Sequence, residues 1–137
     1  MTATAPSTRT ASRAAHRTLW VLQIVMGVFF VVASAGPKFV GETYAVELFT
    51  QIGAGDWYRY LVGTIELAGG IGLMVPRLAG PAAVGLMGLM IGAGYTQAVV
   101  LDEPAMITSP IIFFVVMGII AWGRRSSILA WLPRRDR

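Results

Sequence analysis

Four apolar runs, near residues 19–37, 57–75, 81–101 and 107–122, take up most of this 137-residue chain. A helix needs about 20 such residues to cross the hydrocarbon core of a bilayer. Inside lipid every backbone amide must be satisfied within the chain, so runs of this length fold as helices. The rest of the composition agrees, with 55% hydrophobic and 13% charged residues and a mean hydropathy of +0.66. The expected fold is all-α, an integral membrane four-helix bundle over residues 18–123. It lies between a disordered basic tail at 1–17, which has no apolar periodicity, and a second basic tail at 124–137.

A pI near 10.1 raises nucleic acid as a partner, but the placement of the charges argues for a membrane instead. Arg9, Arg13, Arg17, Arg77, Arg124, Arg125, Arg134, Arg135 and Arg137 fall in the first tail, the second loop and the last tail. The other two loops hold Glu42, Glu47, Asp56, Asp102 and Glu103. By the positive-inside rule both termini and the 76–81 turn are cytoplasmic, an N-in/C-in topology, with the basic tails against anionic lipid. The partner is the lipid bilayer and no nucleic acid is expected. With no cysteine, the chain builds no disulfide, iron–sulfur cluster or thiolate metal site. The single histidine, His16, lies in the tail, no metal cluster is expected, and no hydrolytic triad, Walker loop or dinucleotide turn is present.

The first run ends in Ala33-Ser34-Ala35, a small-x-small pattern that a signal peptidase could read. An uncleaved helix is the better reading, because Gln23, Gly27, Ser34 and Lys38 form a polar or small stripe that a discarded leader does not need. This helix is expected to stop near Gly36-Pro37. In residues 42–52, Ala45, Leu48, Phe49 and Ile52 recur at helical spacing opposite polar positions, which predicts a short helix on the outer surface between helices one and two. Gly53-Ala54-Gly55 ends it, and Asp56 stands where a helix cap belongs, ahead of the interfacial aromatics Trp57, Tyr58 and Tyr60. Pro76 to Pro81 is a tight turn. Gly85, Gly88, Gly92 and Thr96 give helix three small surfaces for packing within the bundle or, less commonly, for a homodimer. Helix four either starts at Ser109-Pro110 or begins earlier and kinks there.

Glu66 lies at the middle of the second run, where insertion scales put an acidic residue at roughly +2.5 to 3.5 kcal/mol. Such residues face a bundle interior, a partner or a wet cavity. Arg59, Gly63, Glu66 and Gly70 share one face of that helix, so this face is expected to look inward. Ser34, Lys38, Arg59, Tyr95 and Gln97 all fall in the outer half of the membrane, just beyond Glu66. Arg59 and Glu66 are about 10.5 Å apart along the axis, too far for a secure ion pair. The candidate ligand-binding residues are therefore Glu66, Arg59, Lys38, Gln97, Tyr95 and Ser34, around an outward-opening pocket among helices one, two and three. Glu66 would serve as proton carrier or hydrogen-bond partner for a ligand. The structural alternative makes it a packing contact, with Arg59 and Lys38 snorkelling to the interface.

The chain resembles the DoxX-like family of small four-helix membrane proteins over most of residues 20–123. The resemblance rests on Gly36-Pro37-Lys38, Phe49, Gly53, Gly55-Asp56-Trp57-Tyr58-Arg59-Tyr60, Gly63-Thr64-Ile65-Glu66 and Gly72-Leu73. Pro76-Arg77, Ala82-Ala83 and Met90-Ile91-Gly92-Ala93 with Thr96 continue it. It implies a multi-pass protein of the bacterial plasma (inner) membrane and a subunit or accessory of an oxidoreductase system with a soluble or membrane redox partner; the cofactor is left unknown, with no covalent group expected and a quinone or another small amphipathic ligand near Glu66 as the candidates. Catalysis by the chain alone is left undecided. Such proteins often carry histidine where this chain has Gln97, and glutamine can hydrogen-bond a carbonyl but cannot titrate. Three other classes compete with the oxidoreductase reading. They are a small-solute or drug transporter, a membrane scaffold without a ligand of its own, and a lipid-modifying enzyme with Glu66 as acid or base.

Overall fold

The first apolar run lies inside a helix longer than the run itself. α1 (Ser7–Val28) passes into a π-helical segment (Phe29–Ala35) and then into α2 (Gly36–Val40). The computed structural model describes residues 7–133. Helix therefore replaces the expected disorder from Ser7 to Arg17, and residues 1–6 and 134–137 of the two basic tails lie outside the described residues. Two causes suffice: Ala11, Ala14, Ala15 and three arginines favour helix, and growth from a formed helix avoids the cost of nucleation. Nor does the helix stop at Gly36-Pro37. Pro37 falls in the first turn of α2, where the preceding π turn already supplies wider i→i+5 pairing, and the Gly36 amide donates to the Val31 carbonyl.

Beyond Gly41 the expected surface helix forms as α3 (Thr43–Ile52), whose N-cap Glu42 accepts from the Ala45 amide at 3.1 Å. Ala45 and Phe49 are its buried side, and Gly53 ends it at φ +78°. α4 (Asp56–Leu73) comes next, and here the cap differs from expectation. The N-cap is Gly55, at φ +91°, a conformation that favours glycine. Asp56 is already helical and makes no cap bond. Its carboxylate instead meets Arg59 at 3.5 Å, one turn on.

A tight turn leads to α5 (Ala79–Tyr95), which runs into a second π segment (Thr96–Val100). A 3-10 turn (Pro104–Ile107) opens directly into α6 (Thr108–Gly123), so Pro110 sits in the first helical turn and no mid-helix kink is needed. The short α7 (Arg125–Leu129) comes last. The described residues contain helices and no strand.

α4 packs on α1 with its π continuation and on α5, α5 packs on α6, and α6 returns to α1. Phe30, Leu73, Leu86, Met90, Met117 and Ile120 fill the centre, with Phe29 stacked on Phe113. The outward surface is equally apolar: Val21, Val25, Val32, Ile111, Val115 and Ile119 are all exposed. Such a surface is suited to lipid. The stretches Ser12–Val40, Ala79–Val100 and Pro104–Gly123 are long and apolar enough to cross a membrane. α4 has 18 residues but carries Asp56, Arg59 and Glu66.

Charge divides the molecule by end. Arg13, Arg17, the turn with Arg77, Arg124 and Arg125 share the basic end; α3 and the 101–103 loop, with Glu42, Glu47, Asp102 and Glu103, form the acidic end. The basic end is clasped by Gln23, which is fully buried. Its side-chain amide donates to the Leu73 carbonyl at 2.8 Å and accepts from Arg124 at 2.5 Å. Ser127 joins the start of α5 to this clasp, accepting from the Gly80 amide at 3.0 Å.

At the crossing of α1 and α4 the backbones nearly touch. A Cβ on Gly70 would lie 2.8 Å from the Gly27 carbonyl oxygen, and one on Gly27 would lie 2.7 Å from that of Gly70. Gly70→Ala should therefore lower stability by about 1–3 kcal/mol, the usual cost of overpacking. Gly85→Ala, with nothing within 4 Å of its Cβ, should not, and thermal melting in detergent compares the two.

Candidate functional site

The inward stripe of α4 is buried as its spacing requires, with Arg59, Gly63, Glu66 and Gly70 all covered. It meets the polar stripe of the first helix. Gly27 lies against Gly70, and the Gly63 position faces the Lys38 stem and the Phe39 ring. One turn deeper, Ser34 donates its hydroxyl to Glu66 Oε1 at 2.8 Å.

The partner of Glu66 is Lys38. Its ammonium lies 2.8 Å from Glu66 Oε2, and the two side chains are only 15% and 7% exposed. Oε2 has no well-aligned hydrogen bond, so the contact is mainly charge on charge. The ammonium also donates to the Ser34 carbonyl at 2.9 Å. These three residues thus close a small network, in which Ser34 offers its hydroxyl to the acid and its carbonyl to the base.

Arg59 is close by but otherwise engaged. Its guanidinium donates to the Lys38 carbonyl, pairs with Asp56, and lies 4.5 Å from the centre of the Tyr60 ring. Neither cation snorkels, then: Lys38 turns inward to the acid and Arg59 is buried between α2 and α4. The sequence pattern did not single out Lys38 as the counter-ion, although the signal was available. Lys38 comes one turn after Ser34 on the same stripe, at the depth toward which Glu66 leans.

Glu66 and Lys38 form one wall of a cleft of about 260 Å³ that also takes Gln97 and Thr96 from the second π segment. Leu48, Phe49 and Ile52 of α3 roof it, and Tyr58, Leu89 and Met90 complete its apolar lining. Of the expected residues, the structure brings Glu66, Lys38 and Gln97 to this cleft, with Ser34 behind the acid. Arg59 is not in its lining. Tyr95 is 62% exposed and lies in a separate groove between α5 and α6, beside Pro110 and Phe114. On a helix, residues 95 and 97 cannot share a face. Gly88 and Gly92 also depart from expectation: nothing lies within 4 Å of a Cβ at either, and instead of seating a helix they line the cleft. Among the described residues no group of acids and histidines is arranged to hold a metal ion.

Fold and interior together define a multi-pass, all-helical membrane protein built around a charged internal contact. Residues 21–120 match the DoxX-like family, and the chain belongs to it. Neither curated proteins nor solved structures give a significant match.

Removing one member of the buried pair strands the other. Lys38→Met should cost about 3–5 kcal/mol, whereas Lys38→Met combined with Glu66→Met should recover most of that loss. Melting curves of the two single variants and the double variant close the cycle.

Proposed function

We propose that this protein is a four-helix, N-in/C-in component of the bacterial plasma membrane, with α4 as its fourth crossing, and that it binds a small amphipathic ligand in the cleft beside Glu66. The Lys38–Glu66 pair supports α4 as a crossing, because it offsets within the protein the charge that would otherwise oppose insertion. The observation that carries the ligand reading is the cleft itself, where an apolar lining from α3 and α5 meets a few convergent polar groups. An ion pair is neutral overall. Together with the Gln97 amide it suits an uncharged polar head, such as the carbonyl of a quinone, whose apolar body would lie along Phe49, Leu89 and Met90. A role as subunit or accessory of a membrane oxidoreductase accords with this reading, and the electrons would pass through a partner and the ligand.

One observation favours a second reading, that of a scaffold. Glu66 is already engaged within its own chain by Lys38 and Ser34, as a purely structural acid would be. The transporter reading draws less support, because an acid held by lysine is a poor free proton carrier.

Mild-detergent extraction with mass spectrometry of the bound small molecules, applied to wild type, Gln97→Leu and the double variant Lys38→Met with Glu66→Met, which leaves no unpaired buried charge, separates the two readings. A cleft ligand predicts folded variants with less ligand, about two- to tenfold less for Gln97→Leu, the loss of a hydrogen bond between neutral groups, and roughly ten- to hundredfold less for the double variant, the loss of one to a charged group. Unchanged ligand content in both variants would leave the scaffold. Reporter fusions after Leu132 should be active only in the cytoplasm; activity on the outer side reverses the topology.

A further inference from the structure

A second recess lies at the basic end, far from the cleft, between the 74–78 turn and the chain after α6. Pro76, Arg77, Ser126, Ser127, Ala130 and Trp131 enclose about 380 Å³ there. Trp131 fixes its shape: the indole N–H donates to the Arg77 carbonyl at 3.0 Å, and the Arg77 guanidinium stands 6.0 Å from the ring centre. The polar groups left over are donors. Arg77 has no carboxylate within ion-pair distance and the Ser126 hydroxyl no protein partner among the described residues, where this whole end carries no acid. Arg124 and Arg125 are turned elsewhere, toward Gln23 and Trp20 and toward the Trp122 ring and carbonyl.

The surroundings are those of a bilayer surface. Trp122 in the last turn of α6 and Leu129, Trp131 and Leu132 just beyond that helix are exposed apolar side chains, and tryptophan at a helix end marks the headgroup level. A recess that offers a guanidinium and a hydroxyl, at headgroup depth and with apolar side chains beside it for acyl chains, has the chemistry of a phosphate headgroup site. We propose that this recess binds the headgroup of an anionic phospholipid and so fixes α7 and the 74–78 turn to the membrane surface. The inference is independent of any ligand in the cleft.

The test is native mass spectrometry of protein released from nanodiscs of phosphatidylglycerol mixed with phosphatidylcholine, for wild type, Arg77→Gln, Ser126→Asp and the control Arg13→Gln. Wild type should retain phosphatidylglycerol in preference to phosphatidylcholine, and Arg13→Gln, which removes a basic-end charge outside the recess, should lose at most about fivefold, the effect of one arginine at a charged surface. Arg77→Gln should lose about tenfold or more, because a guanidinium–phosphate contact adds charge-assisted hydrogen bonds to that surface effect, and Ser126→Asp more still, since it sets a carboxylate against the phosphate. Ser126 is exposed, so this variant keeps the test decisive should Arg77→Gln fail to fold. Equal retention by Arg77→Gln and Arg13→Gln, or no preference for the anionic lipid, overturns the proposal. Displacement of the lipid by inorganic phosphate alone overturns it as well, because the site would then belong to a free anion.

Discussion

An ionised carboxylate can stay at the middle of this molecule only because a lysine on another helix comes within 2.8 Å of it. That contact sets the packing around it. Lys38 reaches Glu66 from the far end of the first long helix because the two helices approach closely at Gly27 and Gly70, where each backbone occupies the space a side chain would fill on the other. Removal of a charge from water costs several kcal/mol even after relaxation, and the mutual attraction of a pair returns it only with good geometry and further hydrogen bonds. Ser34 supplies those bonds to both partners at once. The glycine crossing and the ion pair are therefore one constraint: a bulkier residue at the crossing would move Lys38 away from the acid.

Both π-helical segments lie level with this pair. Phe29–Ala35 carries Ser34, and Thr96–Val100 carries Thr96 and Gln97. A π turn widens the helix and shifts the register of the turns beyond it, and such segments recur at functional sites. Here the first brings Ser34 to the acid and passes the chain smoothly through Pro37, and the second begins at the residues that face the cleft. Elsewhere α1, α4, α5 and α6 keep regular α-helical pairing, so the irregular backbone is confined to the depth at which polar side chains are needed.

The main architecture was legible in the sequence because it depends on periodicity. The Arg59-Gly63-Glu66-Gly70 face, the Gln23-Gly27-Ser34-Lys38 stripe and the amphipathic pattern of α3 each come from spacing alone and lie where that spacing puts them, and three of the four apolar runs fall in helices long and apolar enough to cross a membrane. What spacing could not supply was the pairing between faces. Arg59 shares a helix with Glu66 and so drew attention as its partner, whereas the shorter path runs across the interface from Lys38. The π turns were equally hidden, since they depend on tertiary packing and leave no composition signature; with them went the continuation through Pro37. Gly88 and Gly92 show the limit of motif reading, because the same small-xxx-small spacing that seats a helix elsewhere leaves a cleft open here.

The two ends of the molecule meet the membrane surface with opposite designs. At the basic end, the buried Gln23 amide ties α1 to the Leu73 carbonyl and to Arg124, and Ser127 ties the start of α5 to the chain after α6, so the helices are closed against one another. At the acidic end the one side-chain tie between helices among the described residues runs from Arg59 of α4 to the Lys38 carbonyl of α2, and α5 and α6 have none. α3 instead spans the opening between glycine turns at Gly41 and Gly53, and its apolar side, with Phe49 at the centre, covers the cleft. A closed end resists separation of the helices, which keeps the glycine crossing tight and the ion pair at contact distance. The open end can then carry a cleft without loosening the pair beneath it, because Lys38 is held against Glu66 both by the closed end, through the glycine crossing, and by Arg59, which fixes the Lys38 carbonyl.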